Sequence, residues 1–333
     1  MQGAGRSGSV LKIVSVCMWL VLLVIYLVYP VDFVLLNNLS LLDLYTNPSV
    51  LQIRLPRAIA CCLVGSGLGI SGLISQGLFR NPIASPSILG TTTGSVLGAI
   101  LVAFFLPHES YWIRILASFA GALLSAALVV KLSNKYKAIS SSHLLLIGFA
   151  INVLLGSWNS MFLALSMNDT IKSNAILQWM MGSFVGKSWD HILVMTGPFI
   201  CGLSLAYRLS AKLNILNLGY ELAVTQGLDW RKLRNHAILC IAILIGTSVS
   251  FSGMIPFVGL IVPHICRMLF GPDNKKLLPY CAVIGMCLCL GADLLAKSIL
   301  YPLELNVGAL IAIIGAPWMV FLVSSKNIRH TED

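Results

Sequence analysis

The stretch RLPRAIACCLVGSGLGISGLISQGLFRNPIASPSILG, Arg54 to Gly90, decides how this chain is read. Two arginines open it, and 22 uncharged, largely apolar residues follow, Ala58 to Phe79. A helix that crosses roughly 30 Å of hydrocarbon needs about 20 such residues. Pro82 and Pro86 then forbid a continuous helix. Inside the run lie Gly65, Gly67, Gly69 and Gly72. Small residues let helix backbones approach where lipid gives no hydrophobic drive for association. The stretch is a membrane span with a basic entrance, a glycine-rich packing face and a proline-bracketed turn.

The rest of the chain repeats the pattern. It is 57% hydrophobic and 10% charged, with a mean hydropathy of +0.89 over 333 residues. Soluble domains carry about 25% charged residues. We therefore expect an all-α membrane protein, one domain over 1–333, with no room for a sizeable soluble domain. Ten spans are predicted near 12–30, 57–78, 88–106, 112–131, 143–165, 191–209, 235–252, 256–270, 277–299 and 306–324. Residues 235–266 carry no charge and FSGMIPF is their only break, so nine spans also fit there. The first apolar run is too long for a signal-peptide core and shows no small-residue cleavage site, so it reads as a retained span.

Charge placement orients the chain. The net charge is +10, yet the basic residues sit in short loops rather than in one patch. That is the distribution of orientation signals, not of a nucleic-acid surface. With the N-terminus in the cytoplasm, 16 of the 22 Lys and Arg face inward. The 6 outward ones are Arg54, Arg57, Arg114, Lys172, Lys187 and Lys297. The bias fits ten spans with both termini cytoplasmic. The nine cysteines fall in or beside apolar runs without a CxxC pair, and the six histidines are scattered. Such cysteines behave as small buried hydrophobes, and no metal site built by the chain is expected. No nucleophile–base set, HExxH or GxxxxGK[ST] occurs, so the chain is not read as an enzyme and has no ATP site of its own.

Three features remain. Tyr207 to Asn235 is too polar to span, with a helix-like stretch Leu218–Gln226 stopped at Gly227 and a second short helix from Asp229. It is either a docking surface or an ordinary loop. Asp293 lies inside the ninth span four residues before Lys297, the spacing of an i,i+4 pair. On physics alone Arg54 and Arg57 are interfacial anchors.

Seven blocks in order then make the chain resemble a permease subunit of the iron-siderophore, haem and vitamin B12 family of ABC importers, the FecCD type. They are RLPR (54–57), SGLISQGLFRNPIASPSILG (71–90), LGYELAVTQGL (218–228), FSGMIPFVGLIVPHICRMLFG (251–271), LLP (277–279), ADLLAK (292–297) and PLELNVGALIAIIGAPWMVFLV (302–323). The resemblance implies the type II importer permease fold, with ten spans and both termini inside. It implies a bacterial inner-membrane, multi-pass location. It also implies a second permease subunit, identical or homologous, two ABC ATPase subunits that hold ATP and Mg, and an extracytoplasmic substrate-binding protein. No cofactor is implied for this chain.

Residue roles follow from the same resemblance. Arg54, Arg57 and Lys297 would receive acidic residues of the binding protein. Lys297 stands where the family carries an arginine, which keeps the charge and loses the bidentate fork. Within a segment of about 211–235, Gly219, Tyr220, Glu221, Ala223, Gly227, Arg231 and Arg234 would meet the ATPase. Asn81 and Ile83, with Ser141 and Ser142, would form the cytoplasmic gate. Trp179, Met180 and Gly182, in the loop 176–189, would close the pore outside. Departures are Tyr220 at a usually acidic position, Gln226 for leucine and Asn306 for proline. The cargo read from SPSILG and QWMMGSFVGKSW is an iron chelate of the ferric-citrate and related siderophore type, with haem and cobalamin as the alternatives, and an ion-coupled secondary transporter as the alternative of a different class.

Overall fold

The computed structural model describes residues 18–27, 50–135 and 141–329. All regular structure among them is helical. In chain order the helices are α1 (Met18–Leu27), α2 (Leu55–Phe79), α3 (Thr91–Phe105), α4 (Tyr111–Lys135), α5 (Ser141–Leu165), α6 (Thr170–Met181), α7 (Trp189–Asn217), α8 (Tyr220–Thr225), α9 (Trp230–Ser252), α10 (Val258–Phe270), α11 (Asn274–Ser298) and α12 (Val307–Arg329). A π-helical turn, Val50–Arg54, leads into α2, and a 3₁₀ turn, Pro86–Leu89, precedes α3. Each predicted span coincides with a helix, although the ends of the first, at 12–17 and 28–30, lie outside the described residues. Six helices are long and apolar enough to cross a membrane: α2 with its leading turn, α4, α5, α7, α9 and α11. The apolar helices α1, α3, α10 and α12 are shorter over the described residues.

The opening stretch forms the centre of the molecule. Over its most apolar window α2 is 89% buried, because α7, α9, α10 and α11 surround it. Its glycines make this possible. A Cβ on Gly65 would sit 2.2 Å from the Gly285 carbonyl oxygen, and one on Gly69 would sit 2.5 Å from that of Cys281. The pairing 65 with 285 and 69 with 281 shows α2 and α11 antiparallel with backbones in contact. At Gly72 a Cβ would lie 1.8 Å from the Gly259 carbonyl oxygen, on α10. Gly72→Ala must therefore push α10 away, and overpacking of this kind costs about 1–3 kcal/mol or more. Gly291, on α11, has nothing within 4 Å of such a Cβ. There alanine gains helix propensity, about 1 kcal/mol. Thermal midpoints in detergent should fall for Gly72→Ala and hold or rise for Gly291→Ala.

Two boundaries differ from expectation. FSGMIPF does separate two helices, but by an extended segment: α9 ends at Ser252 and α10 starts only at Val258, after Phe257 at φ 64°. At 13 residues α10 is about 20 Å long. The short helix expected from Asp229 is not separate. Asp229 caps α9 by accepting from the Lys232 N–H, and the helix then runs unbroken to Ser252. No helix breaker stands between Trp230 and Ser252, so the apolar run simply extends the polar start.

The helices alternate in direction and so define two ends. At the first end lie the N-terminus of α2, the C-terminus of α11 and all of α6. At the second lie the proline turn, α8 and the start of α11, whose cap Asp273 accepts from the Lys275 and Lys276 N–H groups and from Asn214 Nδ2 at 2.7 Å.

Candidate functional site

At the first end, Tyr26, Arg57, Asp293, Lys297 and Glu304 come together from four segments of the chain. Asp293 is fully buried. It accepts from Arg57 Nε and Nη2, both at 2.9 Å, and from the Tyr26 hydroxyl at 2.5 Å. Lys297 Nζ lies 3.2 Å from the same carboxylate and 3.7 Å from the Tyr26 ring centroid. Arg57 turns its remaining donors to Glu304, at 2.9 and 3.2 Å. The i,i+4 pair is therefore present, inside a network of two cations and two anions. The carboxylate of Asp293 is saturated with donors, so it offers no open proton site in the bundle.

This geometry bears on the three basic residues expected to dock a partner. Arg57 and Lys297 are 9% and 5% exposed. Both spend their charge inside the subunit. Arg54 is half-buried and donates to the Leu27 carbonyl oxygen at 3.1 Å. Of the three, it is the one that reaches the surface.

The residues expected at the outer gate also sit at the first end. Asp169 caps α6 by accepting from the Ile171 and Lys172 N–H groups. Lys172 N–H, then Ile171 N–H, hold its carboxyl below the usual carboxylate range. Trp179 is buried, Met180 is half-buried, and Gly182 ends the helix at φ 63°. A Cβ on Gly182 would meet the Met254 carbonyl oxygen at 2.4 Å. The Met254 N–H donates to Trp179 O at 2.9 Å, and the Ser183 N–H donates to Ser252 O at 2.7 Å. The end of α6 is thus stitched to the extended segment between α9 and α10. Asn306 Nδ2 reaches Met181 Sδ at 3.4 Å, and Gly308 packs on the Met181 and Met254 carbonyls.

Lys187 follows in the loop after α6. It is 8% exposed, and its ammonium donates to the Tyr111 hydroxyl at 2.8 Å. Burial, then the positive charge of Arg57, push its pKa down from 10.5 to about 8. Between about pH 8 and pH 10.5 the unfolded chain holds a proton that the folded chain has released. Stability attributable to Lys187 therefore rises with pH across that window and is flat below it. Thermal midpoints from pH 7 to 10.5 should show this rise, and Lys187→Met should remove it.

At the second end, Asn81 Oδ1 accepts from the Ile83 N–H at 3.0 Å, so Asn81 braces the turn while the Ile83 side chain stands 49% exposed. Ser141 and Ser142 open α5, which packs on the 3₁₀ turn; a Cβ on Gly148 would lie 2.8 Å from Ile88 O. Both halves of the expected inner gate therefore lie at one end. The Arg267 carbonyl accepts from the Gly271 N–H at 3.1 Å, while its guanidinium donates to Gln76 Oε1, tying α10 to α2.

The expected coupling segment divides by exposure. Ala223 is fully buried and Arg234 is 2% exposed, bonded to Asn134 and Asn235. Tyr220, Glu221 and Arg231 are exposed. Gly219 and Gly227 bracket α8 at φ 131° and 80°, conformations that favour glycine. Sequence reasoning missed the most informative residues: Leu218, Leu222 and Val224 are 65%, 54% and 48% exposed. All three are large apolar side chains left uncovered on and beside one short helix. Their signal was present, since LGYELAV is apolar on both sides of a helix too short to bury them. Among the described residues no three His, Cys, Asp or Glu side chains come together to hold a metal ion.

Comparisons with known proteins agree with this arrangement. The model of the FecCD transport family matches residues 13–325. The chain is 36% identical over 285 residues to the hemin transport system permease protein HmuU of Yersinia pestis, covering 84% of each. It is 36% identical over 287 residues to the Fe(3+)-citrate import system permease protein YfmE of Bacillus subtilis, covering 86% of this chain and 85% of the relative. It is 34% identical over 321 residues to the vitamin B12 import system permease protein BtuC of Vibrio vulnificus, covering 96% and 95%. A solved inward-facing structure of an ABC transporter assigned to the metal-chelate type superposes with a TM-score of 0.84 at 32% identity, covering 93% of this chain and 97% of that one.

Proposed function

This chain belongs to the FecCD transport family and is an ABC importer permease of the multi-pass membrane type, and on that premise we propose that it carries an iron chelate into the cytoplasm. The chelate is a ferric siderophore, with the ferric-citrate type favoured over haem and cobalamin. Support for iron comes from relatives described for hemin and Fe(3+)-citrate. The chain hydrolyses nothing. Two partner ATPases bind ATP and Mg at the second end, which is the cytoplasmic one, and a second permease subunit completes the pore in the bacterial inner membrane. The observation that carries the reading is α8: a short helix anchored by buried Ala223 that presents Leu218, Leu222 and Val224 outward.

At the opposite end an extracytoplasmic binding protein delivers the cargo. Its acidic residues meet Arg54, while Arg57 and Lys297 hold the platform from within. Asn81, Ile83, Ser141 and Ser142 shape the inner gate, and Trp179, Met180 and Gly182 the outer one. The reading is tested by reconstituting the chain with its ATPase and binding protein and adding ferric citrate, a hydroxamate siderophore, haem and cobalamin in turn. ATPase stimulation by an iron chelate, weakened about tenfold by Arg54→Glu, is expected. Stimulation by cobalamin alone overturns the cargo, and no stable ATPase complex overturns the coupling role.

A further inference from the structure

A cavity of about 420 Å³ opens at the first end, between the start of α4, the end of α6, the α6–α7 loop and the end of α9. It lies in the size range of ligand sites, roughly 300–1,000 Å³. Its walls hold Tyr111, Trp112, Trp179, Lys187, His191 and Phe251. The rings are fixed by one another: His191 stacks on Trp112 at 4.9 Å and meets Tyr111 and Phe251 edge-on at 5.3 and 6.2 Å. The His191 ring is also held by Ser188, whose hydroxyl lies 2.8 Å from Nδ1.

Two groups in this wall are short of acceptors. Lys187 has three N–H donors. One meets the Tyr111 hydroxyl, and among the described residues no carboxylate pairs with the ammonium. Trp179 is 8% exposed, and its indole Nε1 has no hydrogen-bond partner among the described residues. Buried polar groups without partners cost free energy, a charged one most of all. The ammonium calls for negative charge and the indole N–H for an acceptor, and one anionic acceptor supplies both. Asp190 is exposed at the lining and forms no ion pair with Lys187.

We propose that this cavity is a binding site for a small carboxylate, received by the Lys187 ammonium and the Trp179 indole N–H. The aromatic walls suit a carboxylate borne on a flat or apolar body. Occupancy would tie α6 to the α6–α7 loop and, through Tyr111, to α4. It would thus brace the helix assigned to the outer gate. The site is asked of the permease alone and does not depend on which cargo is carried.

The test is calorimetric titration of the purified full-length chain in nanodiscs with benzoate, citrate and inorganic phosphate, alongside thermal midpoints. Saturable binding of benzoate or citrate is expected. Lys187→Met should weaken it about tenfold or more, and Trp179→Phe, which keeps the ring and removes the donor, by several-fold. Both variants should retain a cooperative thermal transition. If Lys187→Met does not fold, Trp179→Phe alone decides. Absence of saturable binding by either carboxylate overturns the proposal, as does unchanged affinity in the folded variants. Phosphate binding as tight as carboxylate binding overturns the assignment to carboxylates.

Discussion

Asp293→Ala is expected to destabilise the permease by about 3–5 kcal/mol, the cost of stranding buried charge. The reason lies in how the four charges are shared. Asp293 is the hub, with Arg57, Lys297 and Tyr26 all converging on its carboxylate. Without it, two cations that are 9% and 5% exposed face each other, and only Glu304 remains, on the far side of Arg57. Glu304→Gln is a milder change, because that side chain is 32% exposed and water can replace it. The cycle separates burial from ordinary side-chain loss. Asp293→Ala with Lys297→Met removes one orphaned cation and should recover part of the loss, so the two effects are not additive. Thermal midpoints in detergent for the single and double variants read this directly. Equal losses for Asp293→Ala and Glu304→Gln would sink the hub role. The same network makes Arg57→Glu a poor probe of docking, since it would disrupt the subunit before any partner arrived.

The sequence alone carried most of the architecture because its signals are local. Span length, the glycines of α2, the Gly227 stop and the Asp293–Lys297 spacing are all written within one helix. The match of Gly65 with Gly285 and of Gly72 with Gly259 needed the fold, but that these glycines pack was legible. What stayed hidden was long-range. Arg57 and Asp293 are 236 residues apart, and nothing local says that an arginine at the head of one span completes the shell of a carboxylate in another. A hint existed: a buried carboxylate with one lysine still has lone pairs to satisfy. The cavity beside α6 was hidden for the same reason, since Tyr111, Trp179, Lys187 and Phe251 come from separate elements. The segment expected to couple was legible in another way. Its helix and its stop were readable, but motif matching selected Ala223 and Arg234, which fold inward, and passed over Leu222 and Val224, which do not. A motif marks a segment; burial decides which of its side chains a partner can touch.

That distinction sets the second large effect. Leu222→Asp should lower ATP-driven uptake by more than about tenfold while leaving the chain folded, because removal of a central apolar anchor from an interface typically costs 2 kcal/mol or more. Leu222 is 54% exposed, so an aspartate there meets water in the free subunit, and the unfolding free energy should stay within about 0.5 kcal/mol of the original. Ala223, one residue on, is fully buried against the body of the permease. Ala223→Asp buries an unpaired carboxylate and should lower the midpoint itself. The pair thus separates a docking surface from a structural turn. Uptake, basal ATPase rate and co-purification of the ATPase should fall together for Leu222→Asp, with the midpoint held. If that variant transports normally, the exposed face of α8 is not where force from ATP hydrolysis enters the permease. Coupling would then have to pass through the exposed start of α9, at Arg231.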